Sequence, residues 1–322
     1  FLLPDGEGAD RTHAGAAGAA LRTGGLARAV ERGFDGGSPA MNELTVSSPS
    51  KINLWLRVLG RREDGFHEVR TRMLRLSLTD TLHLGFDARG EGIQISCDDP
   101  SVPTDGSNLV AVALRAFMQR SGIQGGWRAR LEKRVPAGAG LGGGSGNAAA
   151  ALLAANEITG HPLDEADLLS LAGGIGADVA FFVLNTAAAD AGGRGEQVSR
   201  VEGPGEMPMV LVKPAFPVPT PWAYSRWKDS RELPGVLYAP QITPWGALVN
   251  DLERPVFEKH LALPSLKNWL LGQTSCLAAL MSGSGSTMFA IAGGGTEAAQ
   301  LAEQARHYAG ATAWISVVTA GV

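Results

Sequence analysis

Cysteine is almost missing from these 322 residues: only Cys97 and Cys276 occur, far apart and outside any metal-ligand spacing. That excludes a disulfide framework and a thiolate zinc site, and it suits a reducing compartment where both thiols pack as small apolar groups. No run of eighteen apolar residues is present and the N-terminus lacks the charged-then-apolar order of a secretory signal, so neither a transmembrane helix nor an export signal is expected. A block of Lys and Arg is absent as well, and the formal net charge is −4, which argues against a partner held by neutralising nucleic-acid phosphates. These absences leave a cytoplasmic chain, monomeric or weakly dimeric, with no membrane and no nucleic acid as partner, acting on a small molecule.

The hydrophobic fraction of 44% and charged fraction of 19% are ordinary for a globular chain, and the length allows two modest domains. Residues 1–40 are rich in Gly and Ala and read as an extension, partly disordered or weakly helical around Leu21–Arg32, with no chemistry of its own. Organised pattern begins at Met41. In "SKINLWLRVLG", Ile52, Leu54, Leu56 and Val58 alternate with Lys51, Asn53, Trp55 and Arg57, the period of a strand with one face on a core, so Lys51 and Asn53 point the same way. "LSLTDTLHLGF" and "EGIQISC" read as further strands, and "SNLVAVALRAFMQRSG" as a helix capped by Ser107 or Asn108 and stopped by Gly122. "GWRARLEKRV" alternates again, and its apolar parity includes Lys133, which either snorkels to the edge or awaits an anionic ligand. From Met207 onward, strands at "PMVLVKP", "SGSTMFAI" and "AWISVV" alternate with helices, as in a smaller α/β domain.

A loop of small residues, "PAGAGLGGGSGNAAAALLAAN", follows the Lys133 strand. Glycines let backbone approach a ligand, and a helix start offers free amides and the positive end of its dipole, so such a loop suits phosphate. A Walker A loop would need a lysine after the glycines, where Ser145-Gly146-Asn147 stands. A dinucleotide fingerprint can be read at Gly138, Gly140 and Gly143, but Pro136 precedes it and the flanking elements are not a run of parallel units.

The loop instead resembles that of the GHMP kinases, and six further segments match in order: "SPSKINLWLRVLGRREDGFHEV", "SNLV", "GGIGADVAFFV" with "GGRGEQV", "KPAFPVPTPWAY", "NDLE" and "MSGSGSTMFAI". The match runs from Met41 to the C-terminus and is similar to the branch that phosphorylates a cytidyl diphosphate sugar alcohol on the way to isoprenoid precursors. It implies an α+β fold of two domains, an ATP-binding domain over 41–206 and a smaller α/β domain over 207–322, with the active site in the cleft between them. ATP and Mg²⁺ are the implied cosubstrate and metal. A mevalonate-type or homoserine kinase, or a non-catalytic sensor of the same fold, are the alternatives.

Residue by residue, the resemblance implies Asp178 as the base that takes the hydroxyl proton and Lys51 as its partner; a helix cap and a surface lysine are the plain readings of the same residues. Asn108, Lys133, Pro136, Gly138, Gly140, Leu141, Gly142, Gly143, Gly144, Ser145, Gly146 and Asn147 fall in the ATP site. Asn53, Phe66, His67, Thr220, Tyr224, Gly283, Ser284 and Gly285 fall on the substrate side, with Phe66 and Tyr224 sandwiching the cytosine and Trp222 competing for that place. For His67 the plain reading is a packed turn histidine, and for 283–285 a tight turn. Two positions depart from the family pattern. Phe66 replaces a tyrosine, and Gly146 replaces a serine, so a hydroxyl near phosphate or magnesium is expected to be missing, with Ser145 the possible metal-side hydroxyl. Asn250 is expected to cap a helix, with Glu253 completing a capping box and neither acting in catalysis.

Overall fold

Alternating burial of Leu44, Val46, Ser48 and Ser50 starts a long strand, β1 (Asn42–Arg61), in the computed structural model, which describes residues 42–322. The extension expected over 1–40 lies outside the described residues. β1 turns back through residues 62–66 into β2 (His67–Asp87), and the two form one antiparallel ribbon from Asn42↔Phe86 to Arg61↔His67. β3 (Ile93–Cys97), α1 (Leu109–Ser121), β4 (Gly126–Glu132), α2 (Gly143–Ile158), α3 (Glu165–Ile175), α4 (Ala177–Val183), β5 (Ala188–Gly192) and β6 (Gln197–Arg200) complete the N-terminal half. The C-terminal half runs β7 (Met207–Lys213), α5 (Thr220–Arg226), β8 (Gln241–Thr243), β9 (Gly246–Leu248), α6 (Glu253–Lys259), α7 (Ala262–Leu271), β10 (Cys276–Met281), β11 (Met288–Ala292), α8 (Gly295–Ala309) and β12 (Trp314–Ala320).

The boundary drawn at 206/207 falls at the start of β7, and one sheet crosses it without a break in the order β10-β11-β7-β12-β2-β4-β3, with β1 and β5 also on β2. β3 and β4 pair in parallel and the other ladders are antiparallel, which makes the chain α+β. The last strand, β12, pairs with β7 along its length and reaches β2 at Ala320↔Leu76. Helices α1 to α4 cover one core and α6 to α8 another; a third core takes the alternate residues of the C-terminal strands, Met209, Leu211, Phe289 and Ile291, together with Ile52 and Leu74. Residues 50–54 of β1 are therefore buried on both faces, not the single face its alternation predicts.

Local signals explain the helices that frame the site. Asn108 caps α1 by accepting from the Val110 amide at 2.9 Å, and Gly122 ends it in the left-handed region at φ 73°. α2 is buried nearly all round by Ala148, Ala149, Ala150, Ala151, Leu152, Ala154 and Ala155, small residues that let it lie close to β1 and β2.

Candidate active site

The glycine loop spans the gap between β4 and α2. A Cβ at Gly140, whose φ is +75°, would stand 2.3 Å from the Ser282 carbonyl oxygen, so only glycine lets this loop touch the 282–287 turn. The loop is fixed to β1 by the Lys51 amide, which donates to the Leu141 carbonyl at 2.9 Å. Gly142 precedes α2 with no side-chain cap, so the first amides of that sixteen-residue helix stay free toward the cleft, as an anion site requires. Ser145 also lines the cleft.

Gly146 does not. It sits on the buried face of α2, where a Cβ would stand 2.3 Å from the Pro49 carbonyl oxygen. The expectation of a hydroxyl missing from the phosphate side is thereby corrected: the absent side chain is what allows α2 to pack on β1.

Lys133 lines the cleft and already holds a protein anion. Its ammonium pairs with Asp80, a fully buried carboxylate of β2, and donates to Asn147 Oδ1 at 3.0 Å. Asp80 also accepts from the Arg134 and Val135 amides, each at 2.8 Å, and from Asn147 Nδ2 at 3.0 Å, while Asn147 reaches Ser48 Oγ at 2.8 Å. Every oxygen of this buried acid is matched, as burial of a charge demands. Asn108 borders the same end of the cleft, with its amide spent on the α1 cap and on the Pro103 carbonyl at 2.6 Å.

At the centre, Lys51 Nζ lies 3.2 Å from Asp178 Oδ2, 2.8 Å from Asn53 Oδ1 and 3.3 Å from the Gly140 carbonyl. The lysine is 4% exposed and the carboxylate 33%. Asp178 stands in the first turn of α4, whose N-cap is Gly176 with no side-chain bond, so it is not the helix cap of the plain reading.

Beyond the pair stands an aromatic wall. The His67 ring lies 5.4 Å from the Tyr224 ring and 6.2 Å, edge-on, from Trp227. Burial, helped by the Asp178 charge, pushes the Tyr224 hydroxyl above the usual phenol range, and burial beside Arg61 holds the His67 imidazole below its ordinary value. Phe66 is exposed at the rim of the cleft that Tyr224 also lines, and it carries the Arg194 guanidinium 4.8 Å above its ring. Trp222 is excluded from this wall: Lys259 lies 4.2 Å over its ring and His260 meets its edge in the C-terminal core. Trp227, Arg194 and Asp80 are the residues the sequence reading missed.

The second loop closes the site. Thr220 Oγ1 and Ser284 Oγ are 2.8 Å apart, and Gly283 packs so tightly that a Cβ would meet Asn53 Oδ1 at 3.2 Å. Gly285 faces Met281 and not the cleft, a correction to its expected place on the substrate side. The capping box is half formed. Asn250 Oδ1 accepts from the Leu252 amide at 2.9 Å just ahead of α6, while its Nδ2 donates to the Met281 and Gly283 carbonyls at 2.7 Å each. Glu253 does not reach back to it but accepts from the Met281 amide at 2.9 Å and from buried Lys267 at 2.5 Å. Asp251 holds the Val58 amide of β1 at 2.8 Å, so "NDLE" ties β1 to the second loop.

All other candidate site residues line one cleft of about 1370 Å³. A single small ligand fills roughly 300–1000 Å³, so this space suits two. Among the described residues no group of three His, Cys, Asp or Glu could hold a metal, and no helix is long and apolar enough to cross a membrane.

The GHMP kinases N terminal domain matches residues 108–186 and the GHMP kinases C terminal domain residues 237–310. A 4-diphosphocytidyl-2-C-methyl-D-erythritol kinase of Methylacidiphilum infernorum is 38% identical over 277 residues, covering 85% of this chain and 96% of its own. A chloroplastic kinase of that name from Oryza sativa is 39% identical over 262 residues, 78% of this chain and 65% of its own. The crystal structure of a 4-(cytidine 5'-diphospho)-2C-methyl-D-erythritol kinase aligns with a TM-score of 0.70 at 34% identity, over 86% of this chain and 99% of that one. With both halves matched and the length covered, the chain belongs to the 4-diphosphocytidyl-2-C-methyl-D-erythritol kinase family of the GHMP kinases.

Proposed function

We propose that this kinase transfers the ATP γ-phosphoryl group to the 2-hydroxyl of 4-diphosphocytidyl-2-C-methyl-D-erythritol, with Asp178 as the base. The observation that carries the reading is the Lys51–Asp178 pair at 3.2 Å, set between a glycine loop and the His67, Tyr224 and Trp227 rings. Phosphoryl transfer asks a protein mainly for alignment and charge stabilisation. The partly exposed Asp178 accepts the hydroxyl proton, and Lys51 orients both groups. Loop amides and the start of α2 receive the phosphates, with the Lys133 ammonium behind them. The aromatic wall offers a face to the cytosine, which a mevalonate or homoserine substrate would leave unused.

Few protein donors for a metal face the cleft, so Mg²⁺ would arrive with the nucleotide, held by phosphate oxygens and the Ser145 hydroxyl; it would neutralise phosphate charge. All these groups come from one chain, so a monomer suffices, and two unpaired thiols favour the cytoplasm. The test is a phosphorylation assay with purified protein, ATP and Mg²⁺, offering the cytidyl substrate beside mevalonate and homoserine. Transfer to the cytidyl substrate alone is expected; transfer to another acceptor, or binding without turnover, overturns the reading.

A further inference from the structure

Lys51 is held toward Asp178 by a chain of hydrogen bonds whose polarity has only one solution. An ammonium is donor-only, so Asn53 turns its carbonyl oxygen to Lys51 Nζ at 2.8 Å. The Asn53 Nδ2 group then points the other way and donates to Thr71 Oγ1 at 2.8 Å. Thr71 passes its own proton to the Trp55 carbonyl at 2.6 Å, an acceptor-only group. Between a donor-only end and an acceptor-only end, each intervening proton has a fixed direction. Lys51, Asn53 and Thr71 are all buried, each at most 4% exposed, in the wall of the cleft.

The sheet register explains the contact. Asn53 sits opposite Met73, and Thr71, two residues along β2, shares its face; the ladder slips between Asn53 and Trp55, and Thr71 bonds to residues on both sides of the slip. Thr71 is a hydroxyl on the parity of buried Val69 and Met73, and nothing in the kinase reading uses it.

We infer that Thr71 is a positioning residue for phosphoryl transfer: its hydroxyl fixes which end of the Asn53 amide faces Lys51, and so holds the ammonium between Asp178 and the glycine loop. The inference rests on the kinase reading above. Without the hydroxyl, Asn53 keeps a buried amide donor with no acceptor, and turning the amide over would aim that donor at the ammonium.

Thr71→Val keeps the branched shape and removes the hydroxyl, and Thr71→Ser keeps the hydroxyl. In the assay with the cytidyl substrate, Thr71→Val should lower kcat roughly ten- to a hundredfold, the cost of one unsatisfied buried donor, with the KM for ATP within about twofold. Thr71→Ser should restore kcat. In an Asn53→Ala background, Thr71→Val should add nothing, because its effect passes through Asn53. Thr71→Ser and Thr71→Ala differ by the hydroxyl alone and repeat the comparison if the valine variant does not fold. Wild-type kcat in Thr71→Val, equal kcat in the Ser and Ala variants, or an undiminished Val effect without Asn53 overturns the inference. A wild-type enzyme that phosphorylates nothing refutes the kinase reading instead, so the two failures are distinct.

Discussion

Lys51 Nζ stands 3.2 Å from Asp178 Oδ2, with the lysine buried and the carboxylate open to the cleft. The asymmetry suits a base that meets its substrate beside a cation that cannot leave. Asp178→Asn should lower kcat by roughly two to four orders of magnitude while the KM values for ATP and the cytidyl substrate stay close to wild type. Steady-state kinetics decide it, and an unchanged turnover number removes the base.

The aromatic wall predicts a split among the tryptophans. Trp227→Ala, like Phe66→Ala and Tyr224→Ala, should raise the KM for the cytidyl substrate and hardly that for ATP, because these rings line the cleft. Trp222→Ala should leave both KM values alone and lower stability by about 2–4 kcal/mol in urea denaturation, since its ring packs in the C-terminal core. Reversal of the two effects would mean that the cytosine lies elsewhere.

Gly146→Ser supplies the hydroxyl that the family resemblance leads one to expect. With the Pro49 carbonyl 2.3 Å from the new Cβ, it should destabilise the fold by about 1–3 kcal/mol and leave the KM for ATP no better than wild type. Tighter ATP binding at unchanged stability would show that position 146 does face the phosphates.

The depressed His67 imidazole gives a pH signature. Burial first, and the Arg61 charge second, disfavour its protonated form, so the ring stays neutral below the ordinary histidine range. The KM for the cytidyl substrate should therefore be flat from pH 8 to about 6.5 and rise only as the ring protonates under more acidic conditions. His67→Gln should abolish that rise; a KM that climbs already between pH 8 and 7 contradicts the assignment.

Much of this site is written locally. The parity that puts Lys51 and Asn53 on one face, the Asn108 and Gly122 caps of α1, and a glycine run feeding an alanine helix are readable because each depends on residues a few positions apart. Asp80 was readable in part: in "LSLTDTLHL" it shares the parity of Leu76, Leu82 and Leu84, and a carboxylate on a buried parity needs a cation. Which cation it finds is a matter of register between β2 and β4, which no local pattern encodes. "NDLE" shows the converse. Its spacing fits a capping box, but Lys267 and the Met281 amide draw Glu253 away, so tertiary partners outweigh the local motif. The return of β12 to β7 and β2 is likewise a long-range event with no signature in the strand itself.

The unbroken sheet bears on how reactants come and go. Parting the halves like a clamshell would strip β12 from β7 and pull the Gly321 amide from the Arg75 carbonyl, a main-chain bond of 2.9 Å. The glycine loop and the 282–287 turn are also laced together, through Ser282 Oγ on the Gly140 carbonyl at 2.9 Å. The two halves are thus one continuous piece of sheet, so any opening of the cleft falls to its exposed rim, which carries Phe66 and Lys228, and not to a parting of the halves.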